Sequence, residues 1–299
     1  MPTRPESFPN QAALHLPHWL RKTGHDFTSD HDLRSLMRTR MLHTVCEEAR
    51  CPNRKECFSS GTATFLILGD VCTRRCGFCA ILPGVGPSLE TLQDEPGNVA
   101  EAAAELKLRY VVITSVTRDD LPDGGAGHFA RTIKAVRKRL PEAGVEVLTP
   151  DFEGNQVSLR IVLEAEPDTF NHNIETVPRL YPSVRPQAQF ARSLNVLIFA
   201  RSFSEGLAIK SGLMVGIGES PEEVREVLCD LHRCGVDVVT IGQYLRPSRE
   251  HLPVAEYVHP DLFEEYREFG EKLGFKAVFA GPFVRSSYMA EDLYLRVRE

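Results

Sequence analysis

No apolar run in this chain approaches the roughly 20 residues that a membrane-spanning helix needs. Met1 to Pro9 lack the apolar core of a secretory signal, so a cytoplasmic location is expected. In a reducing compartment the eight cysteines are not expected to pair as disulfides. Positive charge is not in excess either. The net charge is −6 at pH 7, so neither a nucleic-acid partner nor a membrane partner is expected. Low-complexity segments and internal repeats are missing as well. What is left is ordinary globular composition, 42% hydrophobic and 25% charged over 299 residues. That length allows one large domain or two medium ones.

The cysteines are not scattered. Six of the eight, Cys46, Cys51, Cys57, Cys72, Cys76 and Cys79, fall within 34 positions, a clustering that points to metal rather than to a core. The second triad, Cys72-Thr-Arg-Arg-Cys76-Gly-Phe-Cys79, has C-x₃-C-x₂-C spacing and follows the apolar run Thr64–Leu68, which Gly69-Asp70 ends. The run predicts a buried strand. Its thiols then sit on a loop at the strand's C-terminal end, where barrel and doubly wound folds place their chemistry. Three thiolates can hold three irons of a [4Fe–4S] cube and leave the fourth iron open to a small molecule. A structural zinc site competes with this reading. It would want four ligands and usually paired C-x₂-C hooks, of which only one is present. The first triad, Cys46-x₄-Cys51-x₅-Cys57, also has no obvious fourth cysteine. If it holds a cube too, the last ligand must come from far along the chain. Cys229 and Cys234 read as small hydrophobes in a core. His128, His172 and His251 lack paired ligand spacing.

From residue 63 onward apolar strands alternate with amphipathic helices, the pattern of βα units around a parallel sheet. Strands are expected at Thr64–Leu68, Tyr110–Val116, Val145–Thr149, Thr169–Asn173, Ser211–Ile217 and Val238–Gly242. Helices are expected at Val99–Leu108, Phe129–Leu140, Pro221–Cys234 and after Pro186. Ser220-Pro221-Glu222-Glu223 is a helix start, with a Ser cap, Pro at the first position and acids in the first turn. Six units predict an α/β fold, a partial (β/α)6 TIM-type barrel with N-terminal and C-terminal extensions. The expected partition is 1–58 for an N-terminal extension with the first triad and 59–246 for the barrel. Residues 247–299 form a C-terminal extension with a helix at Asp261–Leu273 and a strand-like Lys276–Gly281. Each predicted strand ends in polar residues, among them Thr114–Gly125, Phe170-Asn-His-Asn-Ile-Glu-Thr176 and Gly242-Gln-Tyr244, which would line a shared mouth. The glycine-rich Gly212–Glu219 lacks a dinucleotide fingerprint, although its glycines would let an adenine or ribose lie against the backbone. Arg74 and Arg75 could steer carboxylates; solvated loop cations are the simpler expectation.

C-x₃-C-x-aromatic-C after a barrel strand resembles the radical S-adenosylmethionine superfamily. Further motifs resemble, within it, the lipoyl synthase family: Cys46-x₄-Cys51-x₅-Cys57, Gly69–Cys79, Thr117-Arg-Asp-Asp-Leu-Pro-Asp-Gly-Gly125, Phe170–Thr176 and Arg285-Ser-Ser-Tyr288. The likeness covers the chain from about residue 40; Thr117 stands where the family more often has Asp. It implies two [4Fe–4S] clusters and S-adenosylmethionine as cofactors. Cys72, Cys76 and Cys79 would hold the reducing cluster. Cys46, Cys51 and Cys57, with Ser287 as fourth ligand, would hold the auxiliary one. Phe78, Asn171, Asn173 and Glu175 would contact S-adenosylmethionine. The implied reaction puts two sulfur atoms at C6 and C8 of an octanoyl chain on a lysine of a lipoyl carrier protein, with an electron donor such as flavodoxin or ferredoxin. Two rivals remain at this point. One is a radical enzyme that methylthiolates RNA or protein, which would be expected to carry an added nucleic-acid module. The other is a two-cluster electron carrier, which would close both clusters with cysteine.

Overall fold

Parallel strands need crossover helices, and the chain supplies one after each of its six barrel strands. The computed structural model describes residues 15–21, 36–48, 53, 64–204, 206–288 and 290–291. Its strands are β1 (His43–Thr44), β2 (Thr64–Ile67), β3 (Val71–Cys72), β4 (Leu82–Pro83), β5 (Tyr110–Ser115), β6 (Gly144–Leu148), β7 (Thr169–Asn171), β8 (Ala208–Val215), β9 (Val238–Gln243) and β10 (Ala277–Gly281). One sheet runs β1-β2-β5-β6-β7-β8-β9-β10, and β3 pairs with β4 in a ladder of its own. All neighbours from β2 to β10 are parallel; β1 alone is antiparallel to its neighbour. Helices Glu95–Glu105, Ala126–Arg139, Gln156–Leu163, Phe190–Phe203, Pro221–Arg233 and Pro260–Leu273 follow the six barrel strands. Among the described residues β1 and β10 do not pair, so the sheet is an open, partial barrel.

Both chain ends contribute to that sheet. The strand-like tail becomes β10 and extends the barrel beside β9 in register from Ala277–Val238 to Gly281–Gly242. His43–Thr44, where little strand was expected, adds an edge to β2. β7 stops at Asn171, earlier than expected. Glu175 turns into left-handed backbone with φ 64°, and the chain rejoins β8 there only by a single bridge to Leu213. Helix Gln156–Leu163 is too short to show a strong period. It is started instead by Asn155, whose side-chain oxygen accepts from Val157 N at 2.9 Å and Ser158 N at 3.3 Å.

Side chains two apart along a strand share a face. Phe65, Ile67, Val111, Ile113, Val145, Val147, Val239 and Ile241 pack outward in one core with helix residues such as Val99, Phe129, Ile133, Leu197 and Leu228. The barrel's inner face is polar. Glu146 and Lys210, each 1% exposed, pair there at 3.0 Å. Tyr110 OH donates to Glu146 at 3.1 Å and accepts from Thr169 Oγ1 at 2.9 Å, and Asn171 Nδ2 donates to Glu146 Oε1 at 2.9 Å. A buried pair costs desolvation, and these added hydrogen bonds offset it.

The predicted start of helix Pro221–Arg233 is a full capping box. Ser220 Oγ accepts from Glu223 N at 3.3 Å, and the Glu223 carboxylate accepts from Ser220 N at 2.8 Å. Ser220→Ala is expected to lower stability by about 1 kcal/mol in a denaturant titration, with Ser220→Thr close to the parent.

Candidate active site

The cysteine loop leaves β2 through two left-handed residues, Leu68 (φ 69°) and Gly69 (φ 87°). Leu68 is buried, and its N–H is held by the Glu95 carboxylate at 2.9 Å. At Gly69 a side chain would be strained by the backbone and would also lie 2.8 Å from Pro87 Cδ. The β3–β4 ladder then closes Cys72, Cys76 and Cys79 into one loop. Contacts from other strands fix it. Thr73 N donates to Thr117 O at 3.0 Å, Gly77 N to Val184 O at 2.9 Å, and Leu252 N to Gly77 O at 2.9 Å. His251 Nε2 donates to Cys79 O at 3.0 Å, which leaves Nδ1 to accept from Ser248 Oγ at 2.8 Å. Phe78 packs among Val184, Tyr244 and Leu252.

Arg74 corrects the expectation of a solvated cation. It is buried, forks onto Asp119 at 2.8 and 2.9 Å, and reaches Asp151 Oδ1 at 2.6 Å. Asp151 is fully buried and also takes Arg192 at 3.3 Å and Glu153 N at 3.1 Å. Burial alone would push the Asp151 carboxyl up, but the Arg74 guanidinium prevails and holds it at about 2. Arg75 is exposed, as expected.

Across the mouth, Asn173 Nδ2 lies 3.1 Å from Glu175 Oε1 and 2.6 Å from Ser286 Oγ. Arg185, which motif reading did not single out, donates to Asn173 O at 3.0 Å and lies 5.5 Å over the Tyr181 ring. Burial pushes the Glu175 carboxyl up, against the pull of Arg185. Asn171 sits two residues deeper, in the barrel-interior network with Glu146. The tail crosses the mouth where a strand glycine makes room for it: a Cβ at Gly242 would lie 2.1 Å from Val284 O, while one at Gly212 would meet Thr240 Oγ1 at 2.5 Å and Asn173 Oδ1 at 3.0 Å. Ser287 follows Ser286 in that segment and is partly buried. Asn53, from the stretch between Cys51 and Cys57, donates to Phe283 O at 2.5 Å. Cys51 and Cys57 themselves lie outside the described residues, as does the side chain of Cys46. The glycine-rich turn after β8 is filled by its own chain: the Glu219 carboxylate accepts from Gly216 N, from Ile217 N at 3.0 Å and from Gly218 N at 3.1 Å.

Burial pushes the Cys76 thiol up and the Cys79 thiol up to about 12, so both carry protons until a metal displaces them. Among the described residues no three of His, Cys, Asp and Glu converge on a single-ion position. A cube does not ask for that, because each thiolate binds its own iron. Two buried polar atoms near the loop, Asn173 Oδ1 and Arg185 Nε, have no hydrogen-bond partner among the described residues. Such orphans fit a small polar ligand. The soft thiolates and the orphan atoms therefore fit an iron–sulfur cluster with an amino-acid-like ligand beside it.

The Radical SAM superfamily profile matches residues 66–231. A lipoyl synthase of Nitratidesulfovibrio vulgaris is 56% identical over 286 residues, 94% of this chain and 93% of its own length. One of Rubrobacter xylanophilus is 54% identical over 276 residues, 92% of this chain and 85% of its own. This chain belongs to the lipoyl synthase family. The fold is shared more widely. Methylornithine synthase superposes with a TM-score of 0.51 at 17% identity, over 82% of this chain and 73% of its own. This lipoyl synthase family member keeps its cysteine loop at the C-terminal end of the first barrel strand. The family's Thr117–Gly125 motif turns out to brace that loop: Thr117 and Asp119 hold Thr73 and Arg74, and Asp123 caps the next helix through Gly125 N at 2.9 Å and Gly127 N at 2.8 Å.

His172 is no ligand. Its Nδ1 donates to Thr149 O at 2.9 Å, and Nε2 accepts from Ser193 Oγ at 3.0 Å. Burial, aided by the Arg185 charge, lowers it to about 4 from the usual 6.5. The folded state therefore binds fewer protons than the unfolded one between these values, and stability falls as pH drops from about 6.5 to about 4. Denaturant titrations across this range are expected to show a steeper loss for the parent than for His172→Gln.

Proposed function

We propose that this chain inserts two sulfur atoms, at C6 and C8, into an octanoyl chain held as an amide on a lysine of a lipoyl carrier protein. The observation that carries this reading is the meeting of Ser286 with Asn173 at 2.6 Å, which draws the Arg285–Tyr288 motif over the mouth that holds the cysteine loop. The contact of Asn53 with Phe283 supports it from the other side, since it ties the first-triad segment to the same tail.

In this reading residues 1–58 carry the auxiliary-cluster cysteines, 59–246 form the radical barrel, and 247–299 deliver the Arg-Ser-Ser-Tyr motif. Cys72, Cys76 and Cys79 hold the reducing cluster. Reducing cluster and S-adenosylmethionine supply, when bound, the 5′-deoxyadenosyl radical that unactivated C–H bonds require, a step beyond protein side chains. Cys46, Cys51, Cys57 and Ser287 hold the auxiliary cluster, which is consumed as the sulfur donor. Phe78 offers an apolar wall to the adenine. Asn173 and Glu175 face the polar parts of the cofactor, and Asn171 supports them from the barrel interior. The tail and the His251–Leu252 clamp keep water from the mouth. No helix among the described residues is long and apolar enough to cross a membrane. Flavodoxin or ferredoxin would deliver the electron.

Reconstituted protein is expected to form 5′-deoxyadenosine and a lipoylated product from an octanoylated carrier peptide, S-adenosylmethionine and reductant; absence of both products would refute the assignment. Ser287 is a harder donor than the thiolates and makes the easiest corner to release. Ser287→Cys is therefore expected to keep its iron and sulfide content while product formation slows, and full activity in that variant would remove this role for the serine.

A further inference from the structure

The Cys72 sulfur accepts two backbone N–H groups, from Arg74 and Thr117, each at 3.4 Å. The second comes from the loop after β5, 45 positions away in the chain. What holds the two loops in that register is Thr73. Its N–H and its hydroxyl both lie 3.0 Å from Thr117 O, and the hydroxyl accepts from Asp119 N at 3.1 Å. Asp119 in turn receives the Arg74 fork and stands 3.3 Å from the Thr73 hydroxyl. The side chain of Thr73 touches neither a thiol nor the mouth residues Asn173 and Glu175 in any of these bonds. It acts through its neighbours, and it is a positioning residue.

We infer that the Thr73–Asp119–Arg74 brace sets the reduction potential of the reducing cluster by holding two N–H groups on the Cys72 sulfur. The inference rests on the assignment of Cys72, Cys76 and Cys79 to that cluster. The physical reason is electrostatic. Reduction adds an electron whose charge spreads onto the ligating sulfurs, and an N–H dipole aimed at a sulfur stabilises the added charge. A brace that slackens lets Thr117 N swing away, and the reduced form loses that stabilisation. The potential then moves negative, and the cluster becomes harder to charge with the one electron the reaction needs.

The test is a redox titration of the reconstituted full chain, followed by the electron paramagnetic resonance signal that changes when S-adenosylmethionine is added. Thr73→Val keeps the shape but removes the hydroxyl. It is expected to lower the reduction equilibrium constant about tenfold, ~59 mV for a one-electron couple, with iron and sulfide per chain unchanged. Thr73→Ser restores the hydroxyl and is expected to titrate with the parent. Thr73→Ala, which also removes the hydroxyl and changes no charge, is expected to shift in the same direction. It carries the test if Thr73→Val loads poorly. An unchanged potential in the variants overturns the inference and leaves the cluster assignment standing. A parent without the S-adenosylmethionine-sensitive signal overturns both.

Discussion

The buried guanidinium of Arg74 is the interaction around which the rim of the barrel is arranged. Taking the cation out of water is costly unless carboxylates meet it in good geometry. Asp119, from the loop after β5, and Asp151, from the loop after β6, do so at once. Asp151 is shared with Arg192 on helix Phe190–Phe203. Three strand-end loops and a helix are therefore locked into one arrangement by a single residue of the cysteine loop. The short β3–β4 ladder fixes only the ends of that loop, so precision at the thiols has to be borrowed from its neighbours.

The barrel interior divides into a floor and a mouth. The floor is the polar network around Glu146 and Lys210, whose donors are met while Asn171 Oδ1 has no partner among the described residues. The mouth keeps buried polar atoms unpaired at Asn173 and Arg185. Native interiors rarely leave such atoms bare without a functional reason. Both extensions converge on the mouth. The tail lays Val284 against Gly242, where any Cβ would collide with it. The N-terminal segment reaches the same tail through Asn53. In the proposed reading, which must bring a reactive carbon, an alkyl chain and a sulfur source into line, this convergence would supply the alignment.

Much of this was legible in the linear chain. The alternation of apolar runs and amphipathic stretches marked six βα units, because strand and helix periods are local properties. The capping box at Ser220 was visible for the same reason. Cysteine spacing named the chemistry, because ligands of one cluster can lie close in sequence. The family motifs singled out Asn173 and the tail separately, without indicating that they touch.

Other features were hidden because they depend on pairs distant in sequence. Arg74 read as a loop cation since its partners lie 45 and 77 positions away. His251 and Leu252 looked like ordinary tail residues until folding set them on the cysteine loop, and Arg185 became a mouth residue only when Val184 met Gly77. Glu219 turned out to occupy the glycine-rich turn that seemed open to a ligand. Local backbone preference and thiol spacing are written residue by residue, and so fold class and cluster chemistry could be deduced before any coordinates. Which charges are buried, which polar atoms stay bare, and how Asn53 and the segment 283–286 come to meet follow from desolvation and packing. Those terms exist only once distant segments share the same space.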